Sequence, residues 1–227
     1  MSPELSIIIP TLNEESSLRE TLDSLQDFDG VEIIVVDGGS ADATVSIAQD
    51  YDVRLLHSTP NRGLQMQIGA DAADGSFLWF LHADTVPNPN AVKQIIKFLR
   101  KPEIVGGNFT LRFDGESLPA KFMNRFYRQI RRLGLIYGDS AIFVRKSVYQ
   151  RIGGFKPLPL FEDLDLIYRL KTEGKIITLP DAVTTSSRRF ENRSFILTFL
   201  KWVIFQMLYW LGVSPDTLAK YYYPIRK

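Results

Sequence analysis

The chain contains no cysteine. This excludes a disulfide scaffold, a thiolate zinc site and a cysteine nucleophile, and it fits a reducing compartment. An excess of charge of one sign is also missing: 27 basic residues against 26 acidic ones leave a formal +1, so no global field argues for a nucleic-acid partner. The opening residues, MSPELSIIIPTLNEE, have no basic region followed by a long apolar run, so no secretory leader is expected. A cytoplasmic location follows as the expectation, and the sequons at Asn108 and Asn192 read as chance matches. No internal repeat, low-complexity segment or dividing linker is present.

The composition that remains is that of a folded globular chain, 45% hydrophobic and 23% charged over 227 residues, enough for one substantial core. LSIIIP (5–10) and VEIIVVD (31–37) are near-continuous apolar runs, as expected for strands buried on both faces of a parallel sheet. Between them Leu18, Leu22 and Leu25 recur at i, i+4, i+7, the stripe of a helix packed on that sheet. The pattern repeats with a helix over DATVSIAQDY, for which Asp42 is a plausible N-cap, a strand over VRLLHS, a helix over LQMQIGADAA, a strand over SFLWFLHAD and a helix over AVKQIIKFLR. Strands are expected over GGNFTLRF, SAIFVRK and KIITLP, and a helix over LDLIYRLKTEG that ends at Gly174. The expected fold is therefore α/β, with a Rossmann-like layer followed by a more mixed half.

Open α/β sheets bind ligands beyond the carboxyl ends of their strands. Three of the expected strands end in polar clusters: Pro10-Thr11-Leu12-Asn13-Glu14, Asp37-Gly38-Gly39-Ser40 and His82-Ala83-Asp84. One such cluster would be turn chemistry; three would meet at one edge of the sheet.

These segments carry a family resemblance. IIIPTLNEE, IIVVDGGSADAT and FLHAD, followed by GGF (153–155) and FEDLDLIYRL, resemble the family 2 glycosyltransferases with the GT-A fold. The likeness covers residues 4 to 190 and is nearest to a small bacterial subgroup with RGLQMQIGA-type and GDSAIF-type segments and His-Ala-Asp in place of Asp-x-Asp. It implies one GT-A domain over 1–190, with a mixed central sheet, a donor half (1–115) and an acceptor half (116–190). A helical, apolar extension would occupy 191–227. It also implies inverting transfer of a sugar from a nucleotide-diphosphate sugar (UDP- or GDP-linked) to an acceptor hydroxyl, with a divalent metal, Mn2+ or Mg2+, assisting departure of the diphosphate. The QxxRW motif of processive relatives is absent, which argues for single-sugar addition. So is the Gly-rich signature that a sugar nucleotidyltransferase would carry after the first strand.

The resemblance also assigns roles to residues. Asp84 matches the last carboxylate of the Asp-x-Asp motif and is the expected metal ligand. His82 stands where the first Asp is usual, and could hydrogen-bond the ribose or sugar, ligate manganese, or simply end a strand. That substitution keeps open a non-catalytic, degenerate nucleotide-sugar-binding protein. Asp37 matches the residue that recognises the base, the alternative being a carboxylate that caps its own turn. Pro10 and Thr11 would line the base pocket, with Glu14 near the ribose, while Asn13 could cap the first helix. Arg62 could reach diphosphate oxygens with its guanidinium fork or lie solvated at the surface. Asp163 matches the second acidic residue of the acceptor-side pair and is the expected catalytic base; without the resemblance, acidic residues at a helix N-terminus would be explanation enough. Glu162 would position the loop or an acceptor hydroxyl, and Asp165 would cap or flank the helix. Asp139 has a weaker claim to the acceptor pocket, and Ser187, Arg188 and Arg189 fall where donor-phosphate contacts are often placed.

Two further segments bear on location. Lys121, Arg125, Arg128 and Arg132 follow a helical repeat beside Phe122, Phe126, Ile130 and Leu133. This is either a helix lying on an anionic membrane surface or one packed on its own core. The apolar run from Phe195 to Val213 reaches the lower limit of a membrane span. Its internal Lys201 and Gln206, together with Trp202, Tyr209 and Trp210, favour an interfacial or dimer-forming helix. Peripheral contact with the inner face of the membrane, a lipid-linked or small-molecule acceptor, and a homodimer through this helix are the partner expectations.

Overall fold

The computed structural model describes residues 3–132, 136–186 and 195–222. Strands β1 (Leu5–Thr11), β2 (Val31–Asp37), β3 (Arg54–His57) and β4 (Phe77–Phe80) are mutually parallel and alternate with helices α1 (Leu18–Asp23), α2 (Thr44–Gln49) and α3 (Arg62–Ala72). The chain continues through β5 (Thr85–Val86), α4 (Ala91–Leu99), β6 (Ile104–Phe113) and α5 (Leu118–Arg132). A 3-10 turn over Gly138–Ser140 follows, then β7 (Phe143–Arg145), α6 (Lys146–Arg151), α7 (Glu162–Lys171), β8 (Lys175–Thr185), α8 (Phe195–Trp210) and α9 (Pro215–Ala219). The sheet order is β3-β2-β1-β4-β7-β6-β8-β5. β7 runs antiparallel to β4 and β6, and β5 antiparallel to β8, so the sheet is mixed, as expected.

Pleating sends successive side chains to opposite faces. Ile7 and Ile9 join Leu18, Leu22 and Ile95 in one apolar layer, while Ile8, Ile34 and Val36 join Met66, Ala70 and Leu166 in the other. Gly69 of α3 stands where a Cβ would come within 2.5 Å of the Ile8 side chain, so glycine sets how closely this helix sits on the sheet.

Several elements differ from expectation, among them α7, which stops at Lys171, short of Gly174. α1 stops at Asp23, and Leu25 is buried from the turn that follows. β4 ends at Phe80 because Leu81 makes the last bond to Ile8 and Thr85 N–H folds back to the His82 carbonyl, turning His82-Ala83-Asp84 out beyond the sheet. The run SAIFVRK is strand only over 143–145, since Ala141 takes the left-handed region (φ 56°) after the 3-10 turn. β8 runs on to Thr185, with Pro180 and Asp181 in a register break opposite Phe109 and Thr110; proline is tolerated there because it owes the ladder no hydrogen bond. No helix among the described residues is long and apolar enough to cross a membrane.

Candidate active site

The carboxyl ends of β1, β2 and β4 open onto one edge, as the topology demands, and loops stitched by hydrogen bonds close the surface there. Gln65 of α3 is buried, and its Nε2 donates to the carbonyls of Thr11 and Val36, both at 2.8 Å. Asn13, held at φ 54°, accepts from Ala41 N–H at 2.9 Å, and its own N–H donates to Ser40 Oγ at 2.9 Å. It thus joins the β1 and β2 loops rather than capping α1. Pro10, Thr11 and Glu14 are all buried at this junction. Asp42 Oδ1 accepts from Thr44 N–H at 3.0 Å, but the N-cap of α2 is Ala43, so the carboxylate closes a turn one residue ahead of the cap position expected of it.

Asp37 is buried and turned back into its own loop. Oδ2 accepts from the N–H groups of Gly39 and Ser40 at 2.8 and 2.9 Å, and Oδ1 from the hydroxyls of Ser40 at 2.5 Å and Thr11 at 3.3 Å. The turn-capping geometry is therefore present in full, and the Thr11 contact is the weakest of the four.

Asp84 lies beyond β4 against the end of β8, with Oδ1 3.5 Å from Thr85 Oγ1 and 3.4 Å from Thr185 Oγ1. No group of three His, Asp or Glu side chains able to hold a metal stands together among the described residues. One carboxylate beside two threonine hydroxyls does fit magnesium or manganese, which commonly keep waters and share a substrate's phosphates. The residues present suit an ion held jointly with a diphosphate rather than a preformed protein cage. His82 Nδ1 is 3.3 Å from Asp139 Oδ1, so the imidazole faces the 3-10 turn over Gly138–Ser140.

The 3-10 turn is the joint between the two sides. Gly138 N–H donates to Asp163 Oδ2 at 2.5 Å, Asp139 meets His82, and Ser140 Oγ accepts from Asn108 Nδ2 at 3.0 Å. Asn108 is itself buried, which closes that sequon in the folded protein. Glu162 and Asp163 begin α7, after Phe161 in the left-handed region (φ 62°). The non-glycine residues with positive φ among the described residues are Asn13, Ala141 and Phe161, and all three flank this site. Strain of this kind collects where geometry is held for function.

Arg62 does not lie solvated. It forms an ion pair with Glu162, whose side chain is only 3% exposed. Burial disfavours the charged guanidinium, but Glu162, Asp163 and Asp139 outweigh it and hold its pKa above the usual value. Burial, with the neighbouring Glu162 charge, pushes Asp163 up to about 6, against the opposing pull of Arg62 and the Gly138 N–H. Burial and the Asp163 charge likewise push Tyr137 up to about 12. Asp165 is removed from the site and paired with Lys156 and Arg169. Ser187, Arg188 and Arg189 lie outside the described residues.

Asp163, Arg62 and Asp139 open into a cavity of about 420 Å3 between α5 and α8. The sequence did not signal this cavity, because its walls come largely from two helices 62 residues apart, whose apolar stripes were read separately, as membrane-facing or core-packed for the first and as interfacial or dimer-forming for the second. Gln65 also escaped notice as a functional residue; a buried-face glutamine on α3, flanked by small and apolar residues, was the available sign.

Residues 6–153 match the profile of glycosyl transferase family 2. The chain belongs to that family. Among curated relatives, "Probable glycosyltransferase YdaM" of Bacillus subtilis is 26% identical over 211 residues, covering 80% of this chain and 50% of its own. A PGL/p-HBAD biosynthesis glycosyltransferase of Mycobacterium bovis is 31% identical over 170 residues, covering 68% of this chain and 64% of its own. The chain thus spans about half the length of the first relative and just under two-thirds of the second. Among solved structures, the mannosyltransferase PcManGT of Pyrobaculum calidifontis, in complex with GDP-Man and Mn2+, superposes with a TM-score of 0.73 at 19% identity, covering 95% of this chain and 67% of that one. TarS 1–349 of S. aureus in complex with UDP-GlcNAc gives 0.67 at 21% identity, covering 86% and 61%. At these identities the likeness establishes the GT-A-like α/β fold.

Proposed function

We propose that this family member transfers a single sugar, with inversion, from a UDP- or GDP-linked donor to an acceptor hydroxyl, and that Asp163 is the base. The acceptor oxygen attacks the anomeric carbon, the bond from that carbon to the diphosphate breaks, and the hydroxyl proton passes to the carboxylate. The observation that carries this reading is the setting of Asp163: buried on a cavity wall, pushed up to about 6, and tied through 138–140 to the end of β4. A base whose pKa lies near the working pH is matched to proton transfer.

Residues 1–115 are assigned to the donor and 116–190 to the acceptor. Pro10, Thr11 and Glu14 line the base and ribose side. A ring N–H of the base could displace Thr11 from Asp37, since that 3.3 Å contact is the loosest of the carboxylate's four. Asp84 would hold a divalent ion together with the diphosphate, and the ion would supply charge neutralisation of the leaving group. His82 and Asp139 act as one hydrogen-bonding pair beside the transferred sugar. Glu162 fixes Arg62, which stands between the acidic pair and the donor. The GDP-Man and Mn2+ held by PcManGT and the UDP-GlcNAc held by TarS support this class of donor.

Peripheral membrane contact is assigned to α5 and α8. Together they carry six cations and no carboxylate, and Leu197, Leu200, Ile204, Met207 and Leu211 form an exposed apolar stripe on and just beyond α8. A basic, apolar face suits an anionic bilayer.

The test is a thermal-shift panel of UDP, GDP and their sugars with and without Mn2+, on the parent protein and D84N. Stabilisation by one nucleotide diphosphate that depends on both metal and Asp84 is expected. Absence of any shift with metal present would end the donor-site assignment, and binding without transfer or donor hydrolysis would make the protein a nucleotide-sugar binder only.

A further inference from the structure

We propose that the cavity between α5 and α8 receives an apolar acceptor, a hydrophobic alcohol rather than a saccharide, and that Gln206 recognises a second oxygen on it. The proposal rests on the reading of Asp163 as the base. Among the described residues, three charged side chains, Arg62, Asp139 and Asp163, line the cavity, and the rest of that lining is aromatic, aliphatic or neutral polar, including Phe126, Trp202, Val203 and Met207. At about 420 Å3 the space has the size of a small-molecule site. Each buried sugar hydroxyl would need a partner, at a cost of roughly 1–3 kcal/mol apiece when none is found. Away from the charged cluster the walls offer little beyond tyrosine hydroxyls and one amide. An alkyl or ring body needs no such partners and gains by leaving water.

Gln206 supplies the independent sign. Its side chain lines the cavity and is 8% exposed, and its Nε2, closed off from the cavity space as placed, finds no hydrogen-bond partner among the described residues, so a turn of the amide about χ3 brings it to a ligand. A buried unsatisfied amide on an apolar helix is costly to stability and calls for an explanation; an oxygen of the ligand provides one. The acceptor is thus amphiphilic, with its reacting hydroxyl at Asp163 and an ether, carbonyl or second hydroxyl oxygen within reach of Gln206.

The probe is 11-bromo-1-undecanol, whose bromine quenches tryptophan fluorescence. Trp202 and Trp210 line the cavity, whereas Trp79 is sealed in the core. Saturable quenching is expected, reversed by 1-undecanol and not by glucose, mannose or maltose. V203F, which fills the space from α8, should weaken it at least tenfold. For the amide, 1,12-dodecanediol should compete better than 1-undecanol against the parent protein, and Q206L should abolish that preference. No saturable quenching, competition by a saccharide, or quenching unchanged in V203F would overturn the proposal; the last would put the probe on the exposed face of α8. Nucleotide binding without alcohol binding overturns this inference alone. Alcohol binding without nucleotide binding leaves the apolar specificity standing while the transferase reading falls.

Discussion

The backbone N–H of Gly138 points at Oδ2 of Asp163 from 2.5 Å, across 25 residues of sequence. A carboxylate that is buried among apolar and aromatic groups would otherwise be free to rotate its oxygens. Here one is pinned by Gly138, and the other accepts from Leu164 N–H at 2.8 Å. The pair fixes the carboxylate, and the Gly138 donor opposes the rise in its pKa, because a donor to the charged form favours that form.

Asp163 makes the pH dependence of the enzyme explicit. Transfer should rise tenfold per pH unit up to about 6 and level off above it, since only the carboxylate can take the proton. D163N should lose on the order of 10²–10⁴ in kcat while still binding donor. The stability consequence has the opposite sign. The folded pKa lies above the usual 3.8, so ionisation opposes folding, and that part of the stability is lost as pH rises through about 6. Between pH 5 and 7 the parent should lose on the order of 1 kcal/mol relative to D163N. Parallel denaturation curves at the two pH values measure it; equal changes in both proteins would show that Asp163 is not the shifted group.

Gly138 should not tolerate a side chain without a kinetic effect. A Cβ there would stand 3.1 Å from Asp163 Oδ2 and 3.2 Å from Asp163 Cβ, so the carboxylate must give by a few tenths of an ångström. G138A should lengthen the N–H contact, move the acid limb of the pH–rate profile upward and lower kcat by roughly tenfold, with donor affinity unchanged. A profile superimposable on the parent's would remove Gly138 from the positioning of the base.

Much of the strand-end edge was legible because it is local. Continuous apolar runs named β1 and β2, and polar residues at strand ends named the loops, since the topology of a parallel sheet forces those ends together. The roles of Arg62 and His82 were not legible, because each is decided by a partner far along the chain. Arg62 meets Glu162 one hundred residues away, and His82 meets Asp139. Sequence offered diphosphate or solvent for the first and ribose, metal or nothing for the second; neither set included the partner that packing supplied. α6 was missed for a different reason. It is six residues long and carries no apolar stripe that runs on past its end, as Leu18, Leu22 and Leu25 do at α1.

The Arg62–Glu162 pair should be worth more when broken than its presence adds. R62A leaves Glu162 buried beside Asp163 with no cation, a loss of about 3 kcal/mol by the usual cost of an orphaned buried charge. The cost should be smaller at pH 5 than at pH 8, because a proton taken up by the acidic pair relieves it. Removing Arg62 also removes a group that lowers the Asp163 pKa, so the acid limb of any residual activity should shift upward. R62M/E162Q should recover part of the stability without recovering transfer. Urea denaturation of the three proteins at both pH values checks the ordering, and a pH-independent cost would mean that the pair acts through packing alone.

Gln65 should separate donor-site architecture from base chemistry. Its amide bridges the Thr11 carbonyl at the end of β1 and the Val36 carbonyl one residue before the end of β2; the first also accepts from Gly38 N–H at 2.8 Å and the second, more weakly, from the Thr11 hydroxyl at 3.5 Å. Q65L therefore costs about 2 kcal/mol, the loss of two buried hydrogen bonds with both acceptors keeping another donor. Q65E should be worse at pH 8, since a carboxylate would face two carbonyl oxygens with nothing to donate. In both variants the strand ends lose their common tie, so nucleotide affinity should fall several-fold whether or not metal is added. The acid limb near pH 6 should stay where it is, because Gln65 does not touch Asp163. Calorimetric titration of the nucleotide diphosphate, set beside the pH profile of transfer, tells the two effects apart: a shifted acid limb with intact affinity would contradict the assignment of Gln65 to the donor side.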